Sequence, residues 1–217
     1  MRTGQLVKRE LVKPRTRFHH GQLREAVVVA TTAIVERDGH QAVSLRAVAH
    51  ALGVTEPAIY RHFANKEAIL AEVSAGGMRR FMVTIATEIS AHADPFDAIE
   101  HTGRAYVRFS VANPGWFRLT FSRIGTEQLQ KHHVVQAAMV EAGAAYMGKM
   151  YATLGTFVAK DNVPDAYRAF WALAHGLSTF VVERVFQLVQ TDEQRMEAAY
   201  AAIGVFVDAY RSSRRAA

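Results

Sequence analysis

Apolar residues recur every three to four positions along most of this 217-residue chain, and no stretch alternates with the period of two that a half-buried strand requires. Leu23, Val27, Ala30 and Ile34 share one stripe between Gly21 and about Asp38, and Gly39 follows, so the spacing predicts a first helix there. Leu45, Val48, Ala49 and Leu52 predict a short second helix, with Ser44 placed to cap its first turn and Gly53 to end it in a left-handed conformation. Thr55 is expected to cap a third helix whose first turn carries Glu56 and Pro57, the acid facing the positive end of the dipole. Ile59 and Phe63, four residues apart, give that helix an inner side, while Tyr60 and His62 point elsewhere. Small Ala49 lets the third helix cross close over the second, with Val54 and Ile59 as apolar pegs. Two short helices joined at a glycine form the layout of a DNA-reading helix-turn-helix, although the same pair also occurs in helical domains that touch no nucleic acid.

The remaining pattern is helical as well. A long helix is expected from Lys66 to about Ala91, with Ile69, Val73, Phe81, Ile85 and Ile89 inward and Gly76-Gly77 a point of bending. Asp94-Pro95 reads as a cap and first helical residue, opening a helix that runs to Asn113 before Pro114-Gly115. Further helices are expected over Trp116 to Phe121, Thr126 to Val158 and Pro164 to Gln190. Thr191 with Gln194 makes a capping box for a last one ending near Tyr210. The fold class is therefore all-α, an N-terminal three-helix unit joined to a larger helical domain. The divisions expected are an arm over residues 1–19, the helix-turn-helix domain over 20–66 and the second domain over 67–217.

Charge divides the chain the same way. Residues 1–66 hold 11 Lys/Arg and 5 Asp/Glu while residues 67–217 hold 15 of each, so the whole formal excess of +6 sits at the helix-turn-helix end. Lys8, Arg9, Lys13, Arg15 and Arg17 make the arm basic, with Pro14 discouraging helix. Such an arm is either a solvated tail or a phosphate or minor-groove contact. The basic residues lack the long apolar helical face of a membrane-surface segment. The chain has no cysteine, which excludes disulfides and thiol chemistry and fits a reducing compartment. The polar, basic N-terminus shows no secretory signal. The longest conspicuous uncharged run, Ala169 to Val182, has 14 residues and includes His175, too short and too polar to cross a bilayer. A soluble, cytoplasmic protein is expected.

The run GVTEPAIYRHFANKEAIL resembles the signature of TetR-type transcriptional regulators, whose recognition helix ends in an aromatic followed closely by His-Phe and a lysine opening the next helix. The resemblance extends roughly from His20 to Val73. Pro57 and Ala58 depart from it, standing in the exposed first turn where many relatives carry more polar residues, which leaves fewer groups for base edges. A second resemblance pairs YVRFSVANPGWFRLTF (Tyr106 to Phe121) with WALAHGLSTF (Trp171 to Phe180), as in the ligand-binding domain of the TetR subgroup named for its Trp-His-Gly motif, here Trp171, His175 and Gly176. It implies that the last two long helices form a four-helix bundle with their copies in a second subunit. Ala172, Gly176 and Thr179 on one, and Ala198, Ala201, Ala202 and Val205 on the other, are low enough for close approach, whether between subunits or within one.

These readings assign roles to residues. Tyr60, His62 and Lys66 are expected on phosphates, with Ser44 a weaker candidate, and Arg46, Thr55 and Glu56 nearest to base edges. An apolar effector is expected among Phe109, Trp116, Phe121, Trp171 and His175, with flexible Met147 and Met150 available to adapt the wall. His175, beside Ser178, is either a ligand contact or a satisfied structural histidine. No catalytic residue, cofactor or metal pattern stands out: His19-His20 and His132-His133 are adjacent pairs on different helix faces, no glycine-rich phosphate loop is present, and Asp94, Asp97 and Glu100 sit where helix starts favour negative charge. The expected partners are double-stranded DNA with a palindromic operator, a small-molecule effector and a second copy of the chain, without a membrane. The protein reads as a homodimeric regulator, most simply a repressor. The rival is a helical small-molecule-binding or enzymatic protein whose helix-turn-helix is incidental.

Overall fold

The computed structural model describes residues 22–121, 131–185 and 191–215, and nine α-helices and two short 3-10 turns are built from these described residues. There is no strand among them. The basic arm lies outside the described residues, as do the expected helix start at Thr126 and the expected end at Gln190.

Helix α1 (Gln22–Asp38), α2 (Leu45–Leu52) and α3 (Glu56–Tyr60) enclose an N-terminal core around Val27, Val35, Val48, Ile59 and Phe63. Ser44 caps α2 as expected, accepting from the Ala47 amide at 3.0 Å, and Gly53 ends it at φ 66°. Helix α4 (Lys66–Ala91) begins in this unit, with Asn65 as its side-chain cap, and leaves it. Its N-terminal turns supply Ile69, Leu70 and Val73 to the N-terminal core, and its later turns supply Met78, Phe81, Ile85 and Ile89 to the second core.

Around the far part of α4 pack α5 (Pro95–Ala112) and α7 (His133–Leu154), with α8 (Val163–Val182) and α9 (Asp192–Arg215) against α5. Asp94 caps α5 through the Phe96 and Asp97 amides, and Thr191 and Gln194 exchange reciprocal bonds at 3.1 and 3.2 Å, the expected capping box. Helix α8 stops at Val182, short of the expected Gln190. The Glu183 amide closes on the Thr179 carbonyl and Arg184 turns to φ 55°, a left-handed conformation that cannot continue the helix. No described helix is long and apolar enough to cross a membrane.

Short helix α6 (Pro114–Phe121) joins the two cores: Leu119 is fully buried in the N-terminal one, while Trp116 and Phe117 are buried in the other. Helix α4 stays unbroken across Gly76 and Gly77, and the second glycine has a different use from bending. A Cβ on Gly77 would stand 1.9 Å from Trp116 Nε1, so only glycine lets the indole lie against the α4 backbone, where it donates to the Ser74 carbonyl at 3.1 Å.

Candidate DNA interface and effector site

Thr55 occupies the N-cap position of α3 but makes no capping bond with its side chain, contrary to the sequence expectation. A capping hydroxyl needs an amide from the second or third helical residue. The second is Pro57, which has none, and the third, Ala58, already donates to the Thr55 carbonyl at 3.0 Å. The Thr55 side chain is exposed at the mouth of the turn instead. Helix α3 also ends sooner than its apolar spacing suggested, at Tyr60, with the His62 and Phe63 amides both closing on the Ile59 carbonyl. Phe63 is thereby buried under Arg24, whose guanidinium lies 5.2 Å from the ring centre, and Tyr60 projects outward with 54 % of its surface exposed.

Arg46, Thr55 and Tyr60 are exposed on this unit, while Glu56, His62 and Lys66 are half-buried. Ser44 is exposed too, with its oxygen engaged as the α2 cap. Lys66 leans on the 3-10 turn His40–Ala42, donating to the Gln41 carbonyl at 3.4 Å. Arg61, exposed directly after α3, belongs to the same surface and, with Tyr60, His62 and Lys66, makes up the group of potential phosphate donors that the sequence places at the end of this helix.

In the second domain the expected aromatic residues form one connected cluster in unequal settings. Trp116 has no exposed surface and packs on Phe81, Phe109 and Phe121, with ring centres 5.8, 5.4 and 5.9 Å away. His175 lies between Trp171, stacked on it at 5.1 Å, and Phe121 at 4.7 Å, while its Nδ1 is 3.0 Å from the Tyr106 hydroxyl. Burial lowers the His175 pKa and raises that of Tyr106, so both are uncharged near neutrality. Trp171 remains 38 % exposed on the outer side.

Phe121 and His175 line a cavity of about 350 Å³ together with Phe117, Arg118, Thr179, Glu183 and His40. Trp116, Phe109 and Trp171 stand behind or beside this cavity and do not line it. His40 comes from the N-terminal unit, and burial followed by the nearby Lys66 charge depresses its pKa. The cavity thus reaches from the aromatic cluster to the turn on which Lys66 rests. Sequence reading missed two groups. Tyr146 carries a buried hydroxyl that has no hydrogen-bond partner among the described residues, which its place in an apolar, aromatic-rich segment did not reveal. Glu36, at the end of α1, accepts from the Gly115 and Trp116 amides at 2.9 and 3.1 Å, capping α6 from the other domain.

Two family descriptions match the chain in succession: "Bacterial regulatory proteins, tetR family" over residues 27–73 and "Tetracyclin repressor-like, C-terminal domain" over residues 99–204. The chain belongs to the TetR family of transcriptional regulators. The uncharacterized HTH-type transcriptional regulator YobS of Bacillus subtilis is 22 % identical over 167 residues, 77 % of this chain and 83 % of its own. The TetR family regulator PfmR of Thermus thermophilus superposes with a TM-score of 0.62 at 19 % identity, over 84 % of this chain and 97 % of that one. The regulator FadR of Bacillus subtilis, solved in complex with stearoyl-CoA, does so with a TM-score of 0.60 at 15 % identity, over the same 84 % and 97 %. The TetR assignment makes the chain a transcriptional regulator with a C-terminal ligand-binding domain.

Proposed function

We propose that this TetR-type regulator is a homodimeric repressor, not an enzyme, that leaves a palindromic operator when a small, largely apolar effector occupies the cavity beside His175. The observation that carries this reading is the cavity's composition: Phe121 and His175 from the effector domain face His40, whose turn supports Lys66. An effector held there touches both domains at once, so its binding energy can favour a different placement of the reading heads. The stearoyl chain of the stearoyl-CoA bound to FadR supports an effector with a hydrocarbon part here. In the dimer each α3 enters a major groove, with centres about 34–36 Å apart when half-sites lie one helical turn apart. Tyr60, His62, Lys66 and Ser44 hold phosphates, and Arg46, Thr55 and Glu56 approach base edges. Outward-facing Ala172 on α8 and Ala201 and Val205 on α9 form the subunit contact, and among the described residues a Cβ built on Gly176 meets nothing within 4 Å beyond its chain neighbours and its own helix backbone.

Genomic fragments retained by the purified protein identify the operator. With that DNA, Lys66→Ala weakens all sequences alike and lowers the salt slope by about one, whereas Arg46→Ala changes the preference among operators. Stearoyl-CoA is the first effector probe, with Phe121→Ala and His175→Ala as cavity variants. The factor by which an effector weakens DNA binding equals that by which DNA weakens effector binding, typically about 5–150-fold. Turnover of a small molecule without salt-sensitive DNA affinity would instead establish the enzymatic rival.

A further inference from the structure

The corner between α4 and α5, at the end of α4 remote from the reading head, brings together three side chains that neither the DNA surface nor the effector cavity uses. Glu88 and His92 stand four residues apart at the end of α4, and His101 comes from α5. One potential ligand atom from each lies within 4.8 Å of the others, and all three residues are half-buried. The two imidazoles stack with ring centres 4.0 Å apart and planes 16° from parallel. Glu88 Oε2 lies 3.7 Å from His92 Nε2, while its other oxygen, Oε1, accepts from Arg108 at 2.8 Å. Arg108 therefore fixes the carboxylate rotamer through one oxygen and leaves the second turned to the histidines. An outer hydrogen bond orienting a ligating carboxylate is a regular component of metal sites.

We infer that Glu88, His92 and His101 bind a divalent transition-metal ion, for which zinc is the best match. Two imidazole nitrogens and one carboxylate oxygen are the donors that zinc and its neighbours in the first transition row accept, and three protein ligands leave a fourth tetrahedral position for water. Calcium and magnesium fit poorly, since they take six or more oxygens. Bonds of about 2.1 Å at tetrahedral angles set ligand atoms about 3.4 Å apart. The cluster therefore contracts on binding, and one imidazole rotates out of the stack, because parallel rings direct their in-plane lone pairs side by side rather than at one point. Sequence reading weighed only adjacent histidine pairs; the Glu88–His92 spacing was legible, but His101 joins it only when α5 folds back along α4.

The full chain, stripped of metal by a chelator that is then removed, is titrated with Zn²⁺ by calorimetry and with Co²⁺ by visible absorption. Binding of one ion per chain at micromolar affinity or tighter, with a tetrahedral Co²⁺ spectrum and a metal-dependent rise in melting temperature, is expected. Glu88→Gln, which keeps the side-chain shape, and His101→Ala each weaken binding by about 10–100-fold or more, while the double change His132→Ala/His133→Ala leaves it unaltered. Unchanged affinity in both Glu88→Gln and His101→Ala, or loss in the His132/His133 variant alone, overturns the assignment. So does the absence of any site tighter than micromolar in the wild-type protein. Circular dichroism without metal confirms that each variant is folded, and Glu88→Gln decides the matter if His101→Ala is not.

Discussion

Gly76 and Gly77 are neighbours in one helix with opposite constraints. An added methyl at Gly76 meets only the ends of Arg79 and Arg80 at 3.9 Å or more, whereas at Gly77 it meets the Trp116 ring at 1.9 Å. Gly76→Ala should stabilise the protein by about 0.5–1 kcal/mol through helix propensity. Gly77→Ala has the same propensity gain but must displace a buried indole and its bond to Ser74, so an overpacking cost of about 1–3 kcal/mol makes it net destabilising. Urea midpoints of the two variants moving in opposite directions would bear this out, and equal shifts would refute it. His175 supplies a pH test. Its folded pKa lies below the ordinary histidine value of about 6.5, so on acidification the unfolded chain takes the proton first and stability falls as pH drops below that value, levelling once the folded ring also protonates. His40 shifts in the same direction. Melting temperature followed from pH 7.5 down to about 5 should fall less steeply in His175→Gln than in the wild type, with the His40 share remaining. The distinction between Gly76 and Gly77 was not legible in the sequence, because Trp116 lies far along the chain and reaches α4 only after folding.

Local devices were the legible ones at the scale of elements. Ser44, Gly53, Asp94 and the Thr191–Gln194 pair act within a few residues of themselves, and the structure has each in its expected position. Thr55 failed as a side-chain cap for an equally local reason, the missing amide of Pro57, which could have been read in advance. The α6 cap could not, since Glu36 is separated from Gly115 and Trp116 by 79 and 80 positions. Glu36→Gln removes the charge at the α6 N-terminus and one of two acceptors, at a cost of about 1 kcal/mol. Because that cap bridges the domains, the variant should retain operator affinity and lose part of its effector response. Paired DNA titrations with and without effector measure this. A full response would show that Glu36 serves stability alone.

For the whole molecule, the proposed assembly rests on the outward apolar positions of α8 and α9. Trp171, Phe180 and Val205 are 38, 42 and 72 % exposed in the single chain, an apolar exposure that a second copy would cover. Val205→Arg places an unpaired charge on this face without touching either core, so sedimentation should show a folded monomer and operator affinity should fall at least about tenfold through lost bivalency. A dimer unaffected by Val205→Arg would put the subunit contact elsewhere. The division at residue 66 read from charge is a division of surface more than of packing. Leu119 of α6 is wholly buried among residues of α1 to α4, and the Gly115 backbone presses so closely on the Val35 carbonyl that a Cβ would come within 2.2 Å of it. A graft that transplants residues 20–66 onto a relative's effector domain therefore carries a core with one piece left behind in the donor. Such hybrids should lose thermal stability, and those that also bring residues 114–121 should recover it. The reciprocal hybrid, a relative's reading head without an acid in the place of Glu36 set on this chain's α6, should grip its operator yet respond less to the effector, so altered DNA preference and retained inducibility have to be inherited together.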